Sequence, residues 1–194
     1  TKTAMEIFDV SQDKVDAQMR RAAKTVNFGI VYGQSDFGLS EQLGISRKEA
    51  HTFIEKYFAS YPNIKTFMDA TIAFCEDHGY VKTMFQRRRY IKEIKDKNYM
   101  MREFGKRAAM NAPIQGSAAD LIKVAMIRIY KTMKQQHVKS KMILQIHDEL
   151  IFEVVEEECA LMKEIVERGM QEAMQLKVPL IAEASMGKNW YDAK

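Results

Sequence analysis

MILQIHDELIFEVV, residues 142–155, sets the fold class. MILQI at 142–146 and LIFEVV at 150–155 are short apolar runs rich in β-formers, separated by His147, Asp148 and Glu149. That pattern predicts an antiparallel hairpin with acids at its turn. Downstream, residues 156–175 read as a helix and Pro179–Ser185 as a third strand. Upstream, the apolar period changes to that of helices. Ser117 and Asp120 have capping-box spacing, and Leu121, Ile122, Ala125, Met126, Ile129 and Met133 behind them form one apolar stripe. Lys123, Arg128, Lys131 and Lys134 fall to solvent, so the methionines are core packing rather than a cofactor site.

Further upstream, a helix is expected to begin near Tyr99 and stop before Pro113. Ser46 and Glu49 make a capping box followed by Ala50, Phe53, Ile54, Tyr57 and Phe58, an amphipathic helix ending before Pro62. A second helix is predicted over Asn63–Asp77, closed by Gly79, and YVKTMF at 80–85 reads as a strand entering a basic loop. A mostly helical first half therefore precedes a mixed second half, an α+β chain. Trp190 and Tyr191 are expected to pin the C-terminal tail.

At 194 residues and 46% hydrophobic content, the chain can bury the core of one large domain or two small subdomains. It contains no internal repeat, low-complexity tract or Gly/Ser-rich linker. Cys75 and Cys159 match no paired metal-ligand spacing, which speaks against a disulfide framework or zinc site and for a reducing cytosol. No run approaches the roughly 18 apolar residues of a membrane span, and TKTAMEIFDV lacks the layout of a secretory leader. A soluble, unexported, cytoplasmic protein is expected. HDEL at 147–150 is internal, so it is no retention signal.

The net charge of +4 hides a division. Residues 82–107 carry ten Lys/Arg against three acids, whereas residues 148–183 carry ten acids against three Lys/Arg. Arg87, Arg88 and Arg89, flanked by Tyr90, Lys92, Lys95 and Lys97, concentrate charge beyond the needs of a solvated face. Contact with a phosphate backbone explains it better.

Two constellations carry chemistry. In RRAAKTVNFGIVYG, residues 20–33, Arg20, Lys24, Phe28 and Tyr32 recur every fourth position. On an α-helix they occupy a stripe roughly 120° wide and about 18 Å long. Two cations at one end and two rings at the other fit a nucleoside triphosphate, phosphates on Arg20 and Lys24, sugar and base on Phe28 and Tyr32. Gly29 and Gly33 each cost about 1 kcal/mol relative to Ala inside a helix, which suggests a close visitor such as a flat base pair. The spacing equally fits an amphipathic helix whose rings face a core. In QIHDEL, residues 145–150, Asp148 and Glu149 could hold Mg2+, which takes one or two carboxylates plus waters and substrate phosphates. A hydrophilic turn with two acids is the alternative.

Together these stretches resemble family A DNA polymerases. RRAAKTVNFGIVYG is similar to the fingers motif B, QIHDEL to motif C, and RAAMNAPIQGSAAD at 107–120 to the segment entering the palm; the likeness extends to the terminal WYDAK. It implies a helical fingers subdomain over residues 1–100 and the C-terminal part of the palm, with its β-hairpin and packing helices, over residues 101–194. Arg20 and Lys24 would hold the incoming dNTP, with Lys24 donating a proton to the leaving pyrophosphate; Phe28 would press on the sugar and Tyr32 stack near the templating position. Asp148, assisted by Glu149, would bind two Mg2+ ions, and His147 would lie near the primer strand. Arg107, Asn111 and Gln115 would reach the minor groove of primer-template DNA, whose acceptors are nearly the same for every base pair.

The implied activity is template-directed nucleotidyl transfer in DNA replication and repair, by a bacterial, nucleoid-associated enzyme. The family's second metal-binding aspartate comes from motif A, which nothing before Arg20 resembles, so an upstream part with motif A, thumb and exonuclease-like domain is the expected partner, and the fragment alone should be inactive. Two other readings are a non-catalytic nucleic-acid-binding module and a helical scaffold; the first would bind DNA without Mg2+-dependent triphosphate binding, the second would tolerate alanine at Lys24 or Asp148.

Overall fold

Asp16 opens the helix that carries the cation-and-ring stripe: its carboxylate accepts the Met19 amide at 2.7 Å, satisfying a donor the first turn leaves unpaired. In the computed structural model, which describes residues 1–193, that helix is α2, Ala17–Val31. It follows α1, Lys2–Phe8, and a 3-10 turn at Gln12–Lys14. α3, Asp36–Leu43, starts at Ser35 and ends at Gly44, φ 66°. α4, Arg47–Ser60, has both halves of the Ser46–Glu49 capping box, and α5, Pro62–His78, takes Pro62 into its first turn and closes on Gly79, φ 77°. Both expected helices are thus present within a residue or two of their predicted ends. Ala4, Ile7, Val26, Ile30, Leu39, Ala50, Tyr57 and Met68 form the core that holds these helices together.

The chain divides into two units, Thr1–Gln115 and from Gly116 onward. The first also contains the antiparallel hairpin of β1, Tyr80–Lys82, and β2, Arg88–Tyr90. The basic run expected as a loop thus supplies, at Arg88–Tyr90, the partner strand of β1. Thr83 makes this possible: its amide donates to the Arg87 carbonyl at 3.0 Å, its hydroxyl accepts the Phe85 and Arg87 amides at 3.2 Å, and Gln86 reverses the chain at φ 64°.

After a 3-10 turn at Lys92–Lys95, α6 runs from Tyr99 to Gln135 straight through Pro113. The predicted stop at Pro113 and fresh start at Ser117 do not occur. Pro113 deletes the amide that would bond the Ala109 carbonyl, a loss of about 3 kcal/mol in an isolated helix. Ala109 and Ala112 on one side of it and Ala125, Ile129 and Met133 on the other are buried in the cores of their respective units, and packing of both flanks outweighs the break.

The second unit holds β3, Lys141–Ile146, and β4, Glu149–Glu153, paired antiparallel as predicted, with an irregularity between Met142 and Leu144. A 3-10 turn at Glu156–Glu158 leads into α7, Cys159–Gln171. Ile129, Met133, Met162 and Ile165 are its core, and Met142, Leu150 and Phe152 of the hairpin pack against it. The expected third strand at Pro179–Ser185 is absent. Its backbone is taken up by side chains of α7: Gln171 donates to the Ala182 carbonyl and the Ala184 amide donates to Glu167, both at 2.9 Å. Nor does Tyr191 pin the tail, since it is 89% exposed; Trp190 is 44% exposed. The α+β class holds: helices with two small antiparallel hairpins.

Candidate functional site

α2 buries one face and leaves the other to solvent. Ala23, Val26, Gly29 and Ile30 point into the core, so residues offset by half a turn point out. Arg20, Lys24, Phe28 and Tyr32 are all exposed, the two rings at 52% and 50%. The reading that hides these rings in a core does not hold. Phe28 and Tyr32 are roughly parallel, with centroids 6.5 Å apart and planes 24° apart, and the Lys24 ammonium lies 5.8 Å from the Phe28 centroid. Cations and ring faces thus lie in series along one open surface, which suits an anion joined to a flat heterocycle.

Both glycines meet the chain itself, Gly33 against backbone and Gly29 only against the movable end of a side chain. A Cβ on Gly29 would come within 2.5 Å of the Gln34 side-chain oxygen. Gly33 lies beyond the last turn of α2 at φ 66°, where a Cβ would press on Met110 and stand 2.9 Å from Cγ and 3.3 Å from Cα of Arg107. α6 passes that close. The Gln115 amide reaches back to donate a 3.1 Å hydrogen bond to the Tyr32 hydroxyl, so the expected nucleotide and DNA residues meet at one point of the first unit. Spacing alone gave no sign of this bond, because its partners stand 83 residues apart. Of the three expected minor-groove donors, Arg107 and Gln115 are exposed. Asn111 is only 9% exposed, and its amide nitrogen has no hydrogen-bond partner among the described residues.

In the second unit the pairing of Ile146 with Glu149 leaves His147 and Asp148 as a two-residue turn, His147 at φ 51°. The His147 carbonyl accepts from the Gln145 side chain at 2.7 Å. His147, Asp148 and Glu149 are all exposed. The base of the hairpin is clamped by Glu158, which composition alone did not single out. Its carboxylate accepts the Lys139 amide at 2.9 Å, the Ser140 amide at 2.9 Å and the Ser140 hydroxyl at 2.6 Å, and that hydroxyl accepts the Val155 amide at 3.0 Å. The Lys139 amide first, then the Ser140 hydroxyl, hold the Glu158 carboxyl below its ordinary range.

Among the described residues no group of three or more His, Cys, Asp or Glu side chains could hold a metal ion. The tip of the hairpin instead offers two adjacent open carboxylates, Asp148 in the turn and Glu149 at the start of β4, the share of ligands that Mg2+ takes from protein when waters and phosphates supply the rest. The donor chemistry fits that ion.

Comparison with known proteins follows the same lines. A model of DNA polymerase family A matches residues 1–192. DNA polymerase I of Caldicellulosiruptor bescii is 53% identical over 194 residues, covering 100% of this chain and 23% of that protein. DNA polymerase I of Bacillus subtilis is 50% identical over 194 residues, 100% of this chain and 22% of that protein. The solved POL domain of Pol1 from M. smegmatis, in complex with DNA primer-template and dNTP, matches with a TM-score of 0.94 at 40% identity, covering 98% of this chain and 34% of that one. The chain spans less than a quarter of the length of these two polymerases.

Proposed function

The chain belongs to DNA polymerase family A, and from that premise we propose that it forms the fingers, residues 1–100, and the C-terminal part of the palm, residues 101–194, of a DNA-directed DNA polymerase. The observation that carries the reading is the open stripe on α2, cations followed by rings, with Tyr32 tied to Gln115. Arg20 and Lys24 bind the triphosphate of the incoming dNTP. Phe28 packs on the sugar, and Tyr32 stacks near the templating base. Arg107 and Gln115, both exposed, meet the minor groove of the nascent duplex, where donors can check pair shape without reading sequence; the buried Asn111 does not reach it in this conformation.

In the reaction the primer 3′-hydroxyl gives up its proton to solvent and attacks the α-phosphorus in line, a new O–P bond forms, and the bond to pyrophosphate breaks. Lys24 delivers a proton to the departing oxygen. Asp148, with Glu149 in support, would hold Mg2+, and His147 lies along the primer strand. Mg2+, two ions in the complete enzyme, would supply charge stabilisation for the phosphoryl transfer when bound. The remaining ligands, including the motif A aspartate, come from an upstream part of the same polymerase, together with a thumb and an exonuclease-like domain. The segment alone therefore does not extend a primer. The setting is DNA replication and repair in a bacterial cytoplasm, at the nucleoid; among the described residues no helix is long and apolar enough to cross a membrane.

The test uses the full polymerase carrying this segment. Asp148→Ala abolishes primer extension while primer-template affinity, measured by fluorescence anisotropy, is largely kept. Extension at the wild-type rate by Asp148→Ala would remove Asp148 from the site.

A further inference from the structure

A second cation-and-ring surface, on the β1–β2 hairpin within the basic run expected to meet a phosphate backbone, has no part in the catalytic roles above. The register sets Tyr80 opposite Tyr90 and Lys82 opposite Arg88. Alternation along the strands turns these four to one face, while Val81, 2% exposed, enters the core on the other. On the outer face the Tyr80 and Tyr90 rings lie 5.5 Å apart, and the Arg88 guanidinium lies 4.7 Å from the Tyr80 centroid. The end of α5 extends the layer: Phe74 stacks on His78 at 4.1 Å, and both meet Tyr80 edge-on at 5.6 and 5.9 Å. Tyr90 is nonetheless 66% exposed.

A merely solvated basic run has no use for a ring such as Tyr90, held open to water on the half-buried Tyr80. Arg88 lies over a ring, an arrangement that leaves its charge unneutralised. Open rings with interleaved cations are the means by which proteins hold unpaired nucleic-acid strands: each base offers a face to a ring, and each phosphate a charge to a cation. A duplex would use only the cations, because its base faces are already stacked on one another.

We propose that the outer face of the β1–β2 hairpin, built from Tyr80, Lys82, Arg88 and Tyr90, binds single-stranded DNA. Resting on the polymerase reading, it names the occupant as the unpaired template strand.

The test compares two DNAs on the full polymerase by fluorescence anisotropy over a salt series: a primer-template with an unpaired template stretch of about ten nucleotides, and the same duplex fully paired. The Arg88→Ala, Tyr90→Ala double variant binds the first about tenfold more weakly, the scale of one missing base stack. Its slope of log affinity against log salt falls by about 0.7 for each phosphate that the variant no longer neutralises. Affinity for the paired duplex is unchanged. Tyr90→Phe, which keeps the ring, binds both as the wild type does. Equal losses on both DNAs, no loss on the first, or a loss with Tyr90→Phe as large as with the double variant would overturn the proposal. Failure of the polymerase reading looks different: a wild-type protein that extends no primer yet loses single-strand affinity in the double variant leaves this surface assigned and the activity refuted.

Discussion

Gln115 donates its side-chain amide to the hydroxyl of Tyr32 at 3.1 Å, joining the residue just past the end of α2 to the first half of α6. Tyr32 caps α2, and its ring lies alongside Phe28. The bond therefore fixes the ring end of the stripe. Tyr32→Phe removes the acceptor and keeps the ring; because the bond is exposed, its loss costs at most about 1 kcal/mol. In a double-mutant cycle read by urea unfolding, Tyr32→Phe combined with Gln115→Ala costs no more than the larger single change. Strictly additive losses would mean that the two side chains do not depend on each other.

Gly33 and Gly44 separate backbone strain from crowding. Both have φ 66°, but a Cβ on Gly44 meets nothing within 4 Å, whereas one on Gly33 presses on Met110 and Arg107. Gly44→Ala should cost about 1 kcal/mol for the left-handed conformation alone. Gly33→Ala should cost at least about 1 kcal/mol more for the overpacking. It should also weaken primer-template binding by displacing Arg107. Equal unfolding midpoints for the two variants would contradict the close approach of α6.

The Glu158 clamp carries a pH signature. Its carboxyl is held below the ordinary glutamate value of 4.5, chiefly by the Lys139 amide and then the Ser140 hydroxyl. A depressed folded-state value means stability that is present above the unfolded value and lost as pH falls through the folded one. Glu158→Gln should thus be less stable than the wild type at neutral pH, and the gap should close as pH falls below 4.5. A gap that stays constant down to strongly acidic pH would show that the clamp does not depend on the ionised form.

Where a single residue dictates local geometry, the chain was legible in advance. The Ser46–Glu49 box and Gly79 each act within a few positions and appear where the sequence puts them, and the acidic hairpin turn follows Ile146 as expected but is His147–Asp148, with Glu149 already in β4. Long-range packing decided the rest. Pro113 reads as a stop, but buried alanines before it and buried Ile129 and Met133 after it keep α6 continuous. Arg88 and Arg89 have no local strand signal and pair only because Thr83 closes the turn. Pro179–Ser185 reads as a strand, yet side chains of α7 claim its backbone. The site divides the same way: period four put Arg20, Lys24, Phe28 and Tyr32 on one face, but nothing in that period told which face was open, or that Gln115 reaches Tyr32.

The central claim is that the exposed stripe of α2 grips a nucleotide with its phosphates at Arg20 and Lys24. The direct measurement is the affinity of the full polymerase, bound to primer-template, for a nucleoside triphosphate and for the matching monophosphate, before and after Lys24→Ala. Removing a charge-assisted hydrogen bond should weaken triphosphate binding about tenfold or more and leave the monophosphate nearly unchanged. Unaltered triphosphate affinity, or an equal loss for both ligands, would contradict the account.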